Sequence, residues 1–331
     1  MENQEVNSNE KESFSAQSLQ SFSDGLVALV EHAAPSIVSV STTGGSHAQG
    51  RRGGRFFGLG TGVVLSAEDG YIVTNSHVVH RAQDAQVGLP SGEAAQASVI
   101  GSDAESDLAL LKLGSSPRDG LKSIQFGDSD HLKVGQFVIA IARAFGSEPS
   151  ATSGIVTSSN RSIRGWGGQV FENVVVSDAQ VNPGYSGSPL LDASGRMVAL
   201  NTAFAFSRAL SIPASRVKEI AEKLRIDGRV KRAYLGVALD PIPLPAGAVP
   251  VGGEFGLMIL SVSEQSPAKN AGLAIGDVLI AFDGEQVSSY SDLRRLLRED
   301  AIGRSAKISV LRGGKVSEFE ITPADDAQIA R

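Results

Sequence analysis

Three residues of this sequence have the type and setting to do covalent chemistry: a serine between glycines, a histidine ending an apolar run and an aspartate opening another. Ser186 lies in Asn182-Pro183-Gly184-Tyr185-Ser186-Gly187-Ser188-Pro189, directly before Leu190-Leu191. Glycines there allow backbone amides to face a developing oxyanion, and each such donor is worth about 3 kcal/mol to a tetrahedral transition state. The amides of Gly184 and Ser186 are the candidates. A serine in a Gly/Pro turn is by itself more often only a turn, so the reading requires a base. Five histidines are available, His32, His47, His77, His80 and His131. His77 stands out because it follows Tyr71-Ile72-Val73-Thr74-Asn75-Ser76 and precedes Val78-Val79, where a buried strand breaks into a turn. His80, the local rival, sits beside Arg81 at the start of a polar stretch. Asp107 leads straight into Leu108-Ala109-Leu110-Leu111, where an unpaired carboxylate would be heavily penalised. Together they describe a base-activated hydroxyl for acyl transfer.

Positioning three residues so far apart in sequence needs a strand-rich scaffold. The chain has 331 residues, 41% hydrophobic and 5% aromatic, with 37 glycines, which favours many turns and small-residue packing over helix bundles. At about 150 residues per domain, two domains are expected. Strand-like runs fall at 36–41, 60–65, 71–74, 97–101, 108–113, 136–142, 154–159, 174–177, 189–191 and 198–203. Their spacing fits an antiparallel barrel or sandwich. Residues 1–23 read as a disordered polar tail, with Ser23-Asp24 capping a short helix over 25–34. The Gly-rich stretch 44–60, with Arg51, Arg52 and Arg55, reads as a solvated loop. An amphipathic helix over 214–224 closes a first domain of residues 24–224, and 225–232 suits a linker. A smaller domain follows over 233–323, with strands at 257–262, 278–282 and 307–312, a helix over 291–298 capped by Ser291 or Asp292, and a tail over 324–331.

The order His77, Asp107, Ser186 matches chymotrypsin-type triads and differs from the subtilisin and α/β-hydrolase orders. Thr74-Asn75-Ser76-His77-Val78-Val79, Ser106-Asp107-Leu108-Ala109-Leu110-Leu111-Lys112 and Asn182-Pro183-Gly184-Tyr185-Ser186-Gly187-Ser188-Pro189-Leu190 resemble the three motifs of the HtrA (Deg) serine proteases. Arg232-Ala233-Tyr234-Leu235-Gly236-Val237, the run 266–273 and the run 276–284 resemble a PDZ domain of the HtrA type. The resemblance implies a mainly β chain, a chymotrypsin-like double β-barrel followed by a small α+β PDZ domain. It implies an ATP-independent endopeptidase cleaving unfolded or damaged proteins, with His77, Asp107 and Ser186 catalytic and no metal or cofactor. It further implies a homotrimer, and peptide C-termini taken up at Tyr234, Leu235, Gly236 and Val237 by strand addition.

The chain departs from that pattern in four places. Tyr185 and Ser188 stand where the family has Asn and Gly, and neither removes an oxyanion amide. Ala142-Arg143-Ala144-Phe145-Gly146 replaces Gly-Asn-Pro-Phe-Gly. The segment before Ile212-Pro213 is short and puts Arg208, Ala209 and Leu210 at the expected specificity-pocket wall. The family's preference is for small aliphatic side chains, whereas Arg208 either invites an acidic residue or turns to solvent. The fourth departure is the N-terminus. Its first residues carry Glu2, Glu5, Glu10, Lys11 and Glu12, the reverse of an export signal, so a cytoplasmic protein is expected as written, or a periplasmic one if the start is incomplete.

Composition excludes several classes. With no cysteine there is no thiol nucleophile, thiolate zinc site or disulfide framework. A net charge of −6 without a basic run argues against nucleic acid as partner. Apolar runs such as 137–142 fall short of the about 20 residues that span a membrane. A peptide-binding scaffold or chaperone with a weak or inactive site is the alternative function, favoured by Tyr185, Ser188 and the short pocket segment. The aliphatic preference predicts that, in a peptide library, Val before the scissile bond is cut faster than Glu. Faster cleavage after Glu assigns Arg208 to selection, and equal rates remove it from selection.

Overall fold

The computed structural model describes residues 8–43, 56–114, 119–144, 148–164, 170–205, 208–245 and 254–326, with backbone alone for 8–15, 43, 56–57, 160–164, 170–172, 203–205 and 208. Arg51, Arg52 and Arg55 lie outside them. The chain divides into two compact units, Met1–Val230 and Lys231–Arg331.

The apolar runs Ile72-Val73 and Leu108-Ala109-Leu110-Leu111 become strand segments buried at every position. β1 (Ile37–Thr43), β2 (Phe56–Ser66), β3 (Tyr71–Thr74), β4 (Asp84–Gly88), β5 (Ala94–Asp103) and β6 (Leu108–Leu113) close a barrel in the order β1-β2-β3-β6-β5-β4. Along β3 and β6 the period of two splits the side chains. Ile72 and Leu111 fill this barrel with Val38, Val40, Val64 and Val87. Val73 and Leu110 turn outward into a second core with Ile37, Ile139, Leu191, Met197 and Leu200.

That second core joins the first barrel to another. β7 (Phe137–Ala142), β8 (Ser150–Arg164), β9 (Val170–Ser177), β10 (Pro189–Asp192), β11 (Met197–Ala205) and β12 (Arg208–Pro213) close in the order β10-β11-β12-β9-β8-β7. Val138, Ala140, Val156, Val175, Leu190 and Ala199 fill it. Each fully buried aliphatic side chain contributes about 1.5–3 kcal/mol, so this packing, without any disulfide, carries the stability.

Two helices lie on the barrels. α1 (Ser8–Ala33) differs from the expected tail and short helix. Gln20 Nε2 donates to Asp24 Oδ1 one turn on, so Asp24 belongs to the helix surface and caps nothing. Leu26, Leu29 and Val30 pack on the shared core, and the Phe22 ring meets Phe137 edge-on at 5.7 Å. α2 (Ala214–Asp227) buries Val217, Ile220 and Leu224 in that core. It continues past the expected end because Arg225 pairs with Glu222 and the helix stops only at Gly228, whose φ of +70° and N–H to Leu224 O terminate it. Val230 is also buried there, so much of the expected linker belongs to the first unit. No helix among the described residues is long and apolar enough to cross a membrane.

In the second unit β13 (Ala233–Tyr234) pairs with β20 (Ala324–Asp325), which draws the start of the expected C-terminal tail into a ladder. The main sheet runs β14 (Val237–Pro243), β15 (Phe255–Val262), β16 (Val278–Phe282), β18 (Ala306–Arg312), β19 (Lys315–Ile321), with β17 (Glu285–Gln286) beside β16. α3 (Pro267–Asn270) and α4 (Tyr290–Leu296) complete it. Ser289, and neither Ser291 nor Asp292, caps α4: its Oγ accepts from Asp292 N, while Asp292 Oδ2 accepts from Ser288 N and Ser289 Oγ. The whole is mainly β: two chymotrypsin-like barrels followed by a small α+β unit, as the resemblance implied.

One buried charge pair anchors the second unit. Asp277, 2% exposed, accepts from Arg312 Nε at 2.7 Å, Arg312 Nη2 at 2.6 Å and Ala274 N at 2.8 Å. Burial alone would raise its carboxyl, but the Arg312 and Ala274 hydrogen bonds outweigh that and hold it below the usual carboxylate range. A depressed carboxylate stabilises the fold above its unfolded pKa of about 3.9, and that stabilisation is lost as pH falls through the folded value. Arg312→Ala is expected to destabilise this unit by about 2–3 kcal/mol in denaturant unfolding at pH 7. Asp277→Asn is expected to flatten the loss of stability below about pH 4; an unchanged acid limb removes Asp277 as its source.

Candidate active site

His77 and Asp107 come from the first barrel and Ser186 from the second, and the barrels' packing places them in the seam between. His77 sits in a 3-10 turn, Ser76–Val78, that follows β3. Asn75 Nδ2 donates to the Asp107 backbone oxygen at 2.8 Å, tying that turn to the residue preceding β6. Asp107 has φ +54°, in the left-handed region, at a cost of about 1 kcal/mol for a residue with a Cβ.

The Asp107 carboxylate is buried and fully engaged. Its Oδ1 accepts from Ser76 Oγ at 2.9 Å and from His77 N at 3.1 Å. His77 Nδ1 lies 2.9 Å from Oδ1 and 2.8 Å from Oδ2. Thr202 Oγ1, from β11 of the second barrel, donates to Oδ2. A carboxylate bonding Nδ1 fixes the tautomer that leaves Nε2 free as a base, and the His77 side chain is 51% exposed.

The turn bearing Ser186 is held from two sides. Thr61 of β2 donates its N–H to Ser186 O at 2.8 Å and its Oγ1 to Gly184 O at 2.8 Å. Asn201 of β11 accepts from Gly187 N at 2.9 Å and donates its own N–H to Ser188 O at 2.8 Å. Gly187 is required here, because φ is +82° and a Cβ would lie 2.1 Å from Thr61 O. Tyr185 N bonds Asn182 O and Ser188 N bonds Tyr185 O. The latter fixes the Tyr185–Ser186 peptide with its N–H on the opposite side. Among the described residues, neither Gly184 N nor Ser186 N has a partner. Two unengaged amides thus flank the hydroxyl. Ser186 Oγ itself reaches Thr202 O at 3.5 Å, and among the described residues no hydrogen bond joins it to His77.

The departures from the family pattern find local reasons. Tyr185, 4% exposed, packs in the second barrel's core. Ser188 Oγ accepts from Asn201 Nδ2 at 2.9 Å, and Asn201 Oδ1 accepts from Ser211 Oγ at 2.7 Å, so the added hydroxyl is satisfied inside the barrel. Arg143, also buried, donates its N–H to Thr61 Oγ1 and its Nη2 to Ala34 O, and burial pushes its guanidinium below the usual range. Ala209 lies opposite Ser177, and Leu210 packs against Val174 and Val176. The Arg208 side chain lies outside the described residues. In the second unit Tyr234 is in β13, Leu235 is buried, Gly236 has φ +84° and Val237 opens β14. Ser76, Thr61, Asn201 and Thr202 were not singled out from the sequence, where nothing marks a hydroxyl or amide whose partner lies on another strand.

Comparison with known proteins accords with this architecture. Residues 60–200 match a trypsin-like peptidase domain and 233–322 a PDZ domain. A probable periplasmic serine endoprotease, DegP-like, of Halomonas elongata is 33% identical over 339 residues, covering 90% of this chain and 70% of that protein. The periplasmic pH-dependent serine endoprotease DegQ of Escherichia coli is 34% identical over 280 residues, covering 81% of this chain and 59% of its own length. Among solved structures, the HtrA-type protease AlgW with a decapeptide superposes with TM-score 0.73 at 28% identity, over 90% of this chain and 97% of the other. A serine endoprotease from Yersinia pestis gives 0.71 at 27% identity, over 90% and 96%. The cytoplasmic expectation is corrected by these relatives, which are named as periplasmic proteases. Of the acidic first residues, Glu10 and Glu12 fall within α1. With a trypsin-like peptidase domain ahead of a PDZ domain and a DegP-like relative matched over most of both chains, this chain belongs to the HtrA (DegP-like) family of serine endoproteases.

Proposed function

We propose that this chain hydrolyses internal peptide bonds of unfolded or damaged proteins without ATP, and that its second unit binds peptide C-termini. The observation that carries the reading is the Asp107–His77 pair facing a serine turn whose Gly184 and Ser186 amides are unengaged. Ser186 Oγ forms a bond to the scissile carbonyl carbon while His77 Nε2 takes its proton. The two amides receive the oxyanion, and the carbon–nitrogen bond breaks as His77 returns the proton to the leaving amine. A water, deprotonated by His77, then bonds to the acyl carbon, and the carbon–oxygen bond to Ser186 breaks as His77 returns that proton to Oγ. Asp107 holds the imidazole and stabilises its protonated form. Ala209 and Leu210 of β12, with Arg208, are assigned to the wall beside the substrate side chain. Gly236, where a Cβ would meet Ser266 Cβ at 2.1 Å, is assigned with Tyr234, Leu235 and Val237 to the loop holding the peptide carboxylate.

One observation favours a second reading, a scaffold with a weak or silent site: the Ser186 hydroxyl is directed to Thr202 O and not to His77. Catalytic hydrogen bonds often tighten only with substrate bound, so the first reading is retained. Fluorophosphonate labelling of wild type but not of Ser186→Ala is the expected result. No labelling of wild type, with or without unfolded protein or peptide, establishes the scaffold. Asp107→Asn is expected to lower kcat about 10⁴-fold with folding intact, because the tautomer is lost. Ser76→Ala, which removes one donor to the charged carboxylate, is expected to cost about ten-fold. Steady-state cleavage of an unfolded protein, with circular dichroism as the folding control, measures both.

A further inference from the structure

The sheet of the second unit ends on β14, which pairs only with β15 among the described residues. Leu239 is opposite Ile259 in that pair. Ile259 spends its own backbone groups on the other side: its N–H goes to Asp277 O at 2.8 Å, and its carbonyl accepts from Gly276 N at 2.9 Å. Opposed residues of an antiparallel pair either exchange both bonds or both face away, so the N–H and C=O of Leu239 point to the open edge. An added strand would use that carbonyl. It is taken instead by the Tyr290 hydroxyl, which donates to Leu239 O from the first turn of α4.

Tyr290 is held there firmly. The Ser288, Ser289 and Asp292 hydrogen bonds lock the start of α4, and Leu293 fixes the helix to the core shared with Leu257, Ile259 and Phe282. Val237 and Leu239 pack against the same core from β14. The phenol therefore bridges the helix and the edge strand across the strip of backbone where a peptide would lie.

We propose that Tyr290 plugs this groove in the free protein, its O–H occupying the Leu239 carbonyl until a peptide amide of an added strand displaces it. The proposal rests on the reading that this unit binds peptide C-termini. Each incoming peptide exchanges an internal hydrogen bond for its own, so affinity is lowered by the strength of the bond displaced. In Tyr290→Phe the ring remains and only that bond is lost, leaving Leu239 O to water in the free state.

The test uses the full chain carrying Ser186→Ala, so that no probe is cleaved, with and without Tyr290→Phe. Fluorescein-labelled ten-residue peptides ending in free Val, Leu or Phe carboxylates are titrated and followed by polarisation. Tyr290→Phe is expected to bind about five-fold tighter, the equivalent of one ordinary hydrogen bond. Equal or weaker binding than the parent overturns the plug while leaving peptide binding intact. Binding of no peptide by either chain overturns both the plug and the reading on which it rests. A stabilised parent is the companion readout: loss of the bond is expected to speed amide hydrogen exchange in β14 and at the start of α4, and unchanged exchange overturns the plug.

Discussion

The Asp107 carboxylate is the constraint on which the first unit's site depends. At 6% exposure it cannot remain charged without partners, and the chain supplies them from both barrels: Ser76 and His77 from one, Thr202 from the other. Satisfying one charge therefore fixes the imidazole's tautomer and direction and also pins β11 to the β3–β6 side of the seam. The left-handed backbone at Asp107 belongs to the same device. It turns the carboxylate back toward the 3-10 turn while the next residue enters β6, and the strain is borne by a residue type tolerant of that conformation.

The Ser186 turn depends on the two barrels in a complementary way. Thr61 engages the carbonyls of Gly184 and Ser186, Asn201 engages Gly187 and Ser188, and the amides of Gly184 and Ser186 are left over. Clamping the carbonyls holds the turn's two remaining donors in place and unspent, the arrangement that the proposed reaction requires. The unusual Tyr185 and Ser188 fit because each has a destination in the second barrel, a hydrophobic core for the ring and the Asn201–Ser211 pair for the hydroxyl.

How much was legible in the sequence follows from where each interaction partner lies. β3, β6 and β16 fall within the runs read as strands, because each carries consecutive buried apolar residues: Ile72-Val73, Leu108-Ala109-Leu110-Leu111 and Val278-Leu279-Ile280. Among the longer strands, β4, β12, β14 and β19 lie outside those runs: in Asp84–Gly88 only the alternate residues Ala85 and Val87 are buried, and Arg208–Pro213 mixes its apolar residues with Arg and Ser. α1 begins well before the expected short helix, because a stretch rich in Asn, Gln, Glu and Ser suits a helix and a solvated tail alike and composition does not separate the two. The residues proposed for chemistry were legible as types beside apolar runs. Thr61, Thr202 and Asn201 were not, since their importance comes only from strands that meet across the seam.

The two units treat strand edges in opposite ways, and this divides their roles. Among the described residues, both sheets of the first unit close into barrels and leave no free edge, so its strand ladders are spent on the scaffold. The second unit keeps β14 open, an arrangement suited to strand addition and exposed to unwanted pairing. A single phenol resolves that conflict better than a permanent strand would. It satisfies one edge carbonyl at rest, leaves the flanking backbone to water, and yields to a ligand that offers several amides in register. Selectivity for a true strand over a chance contact then follows from number: one bond must be surrendered, and only a segment able to make more than one gains by binding.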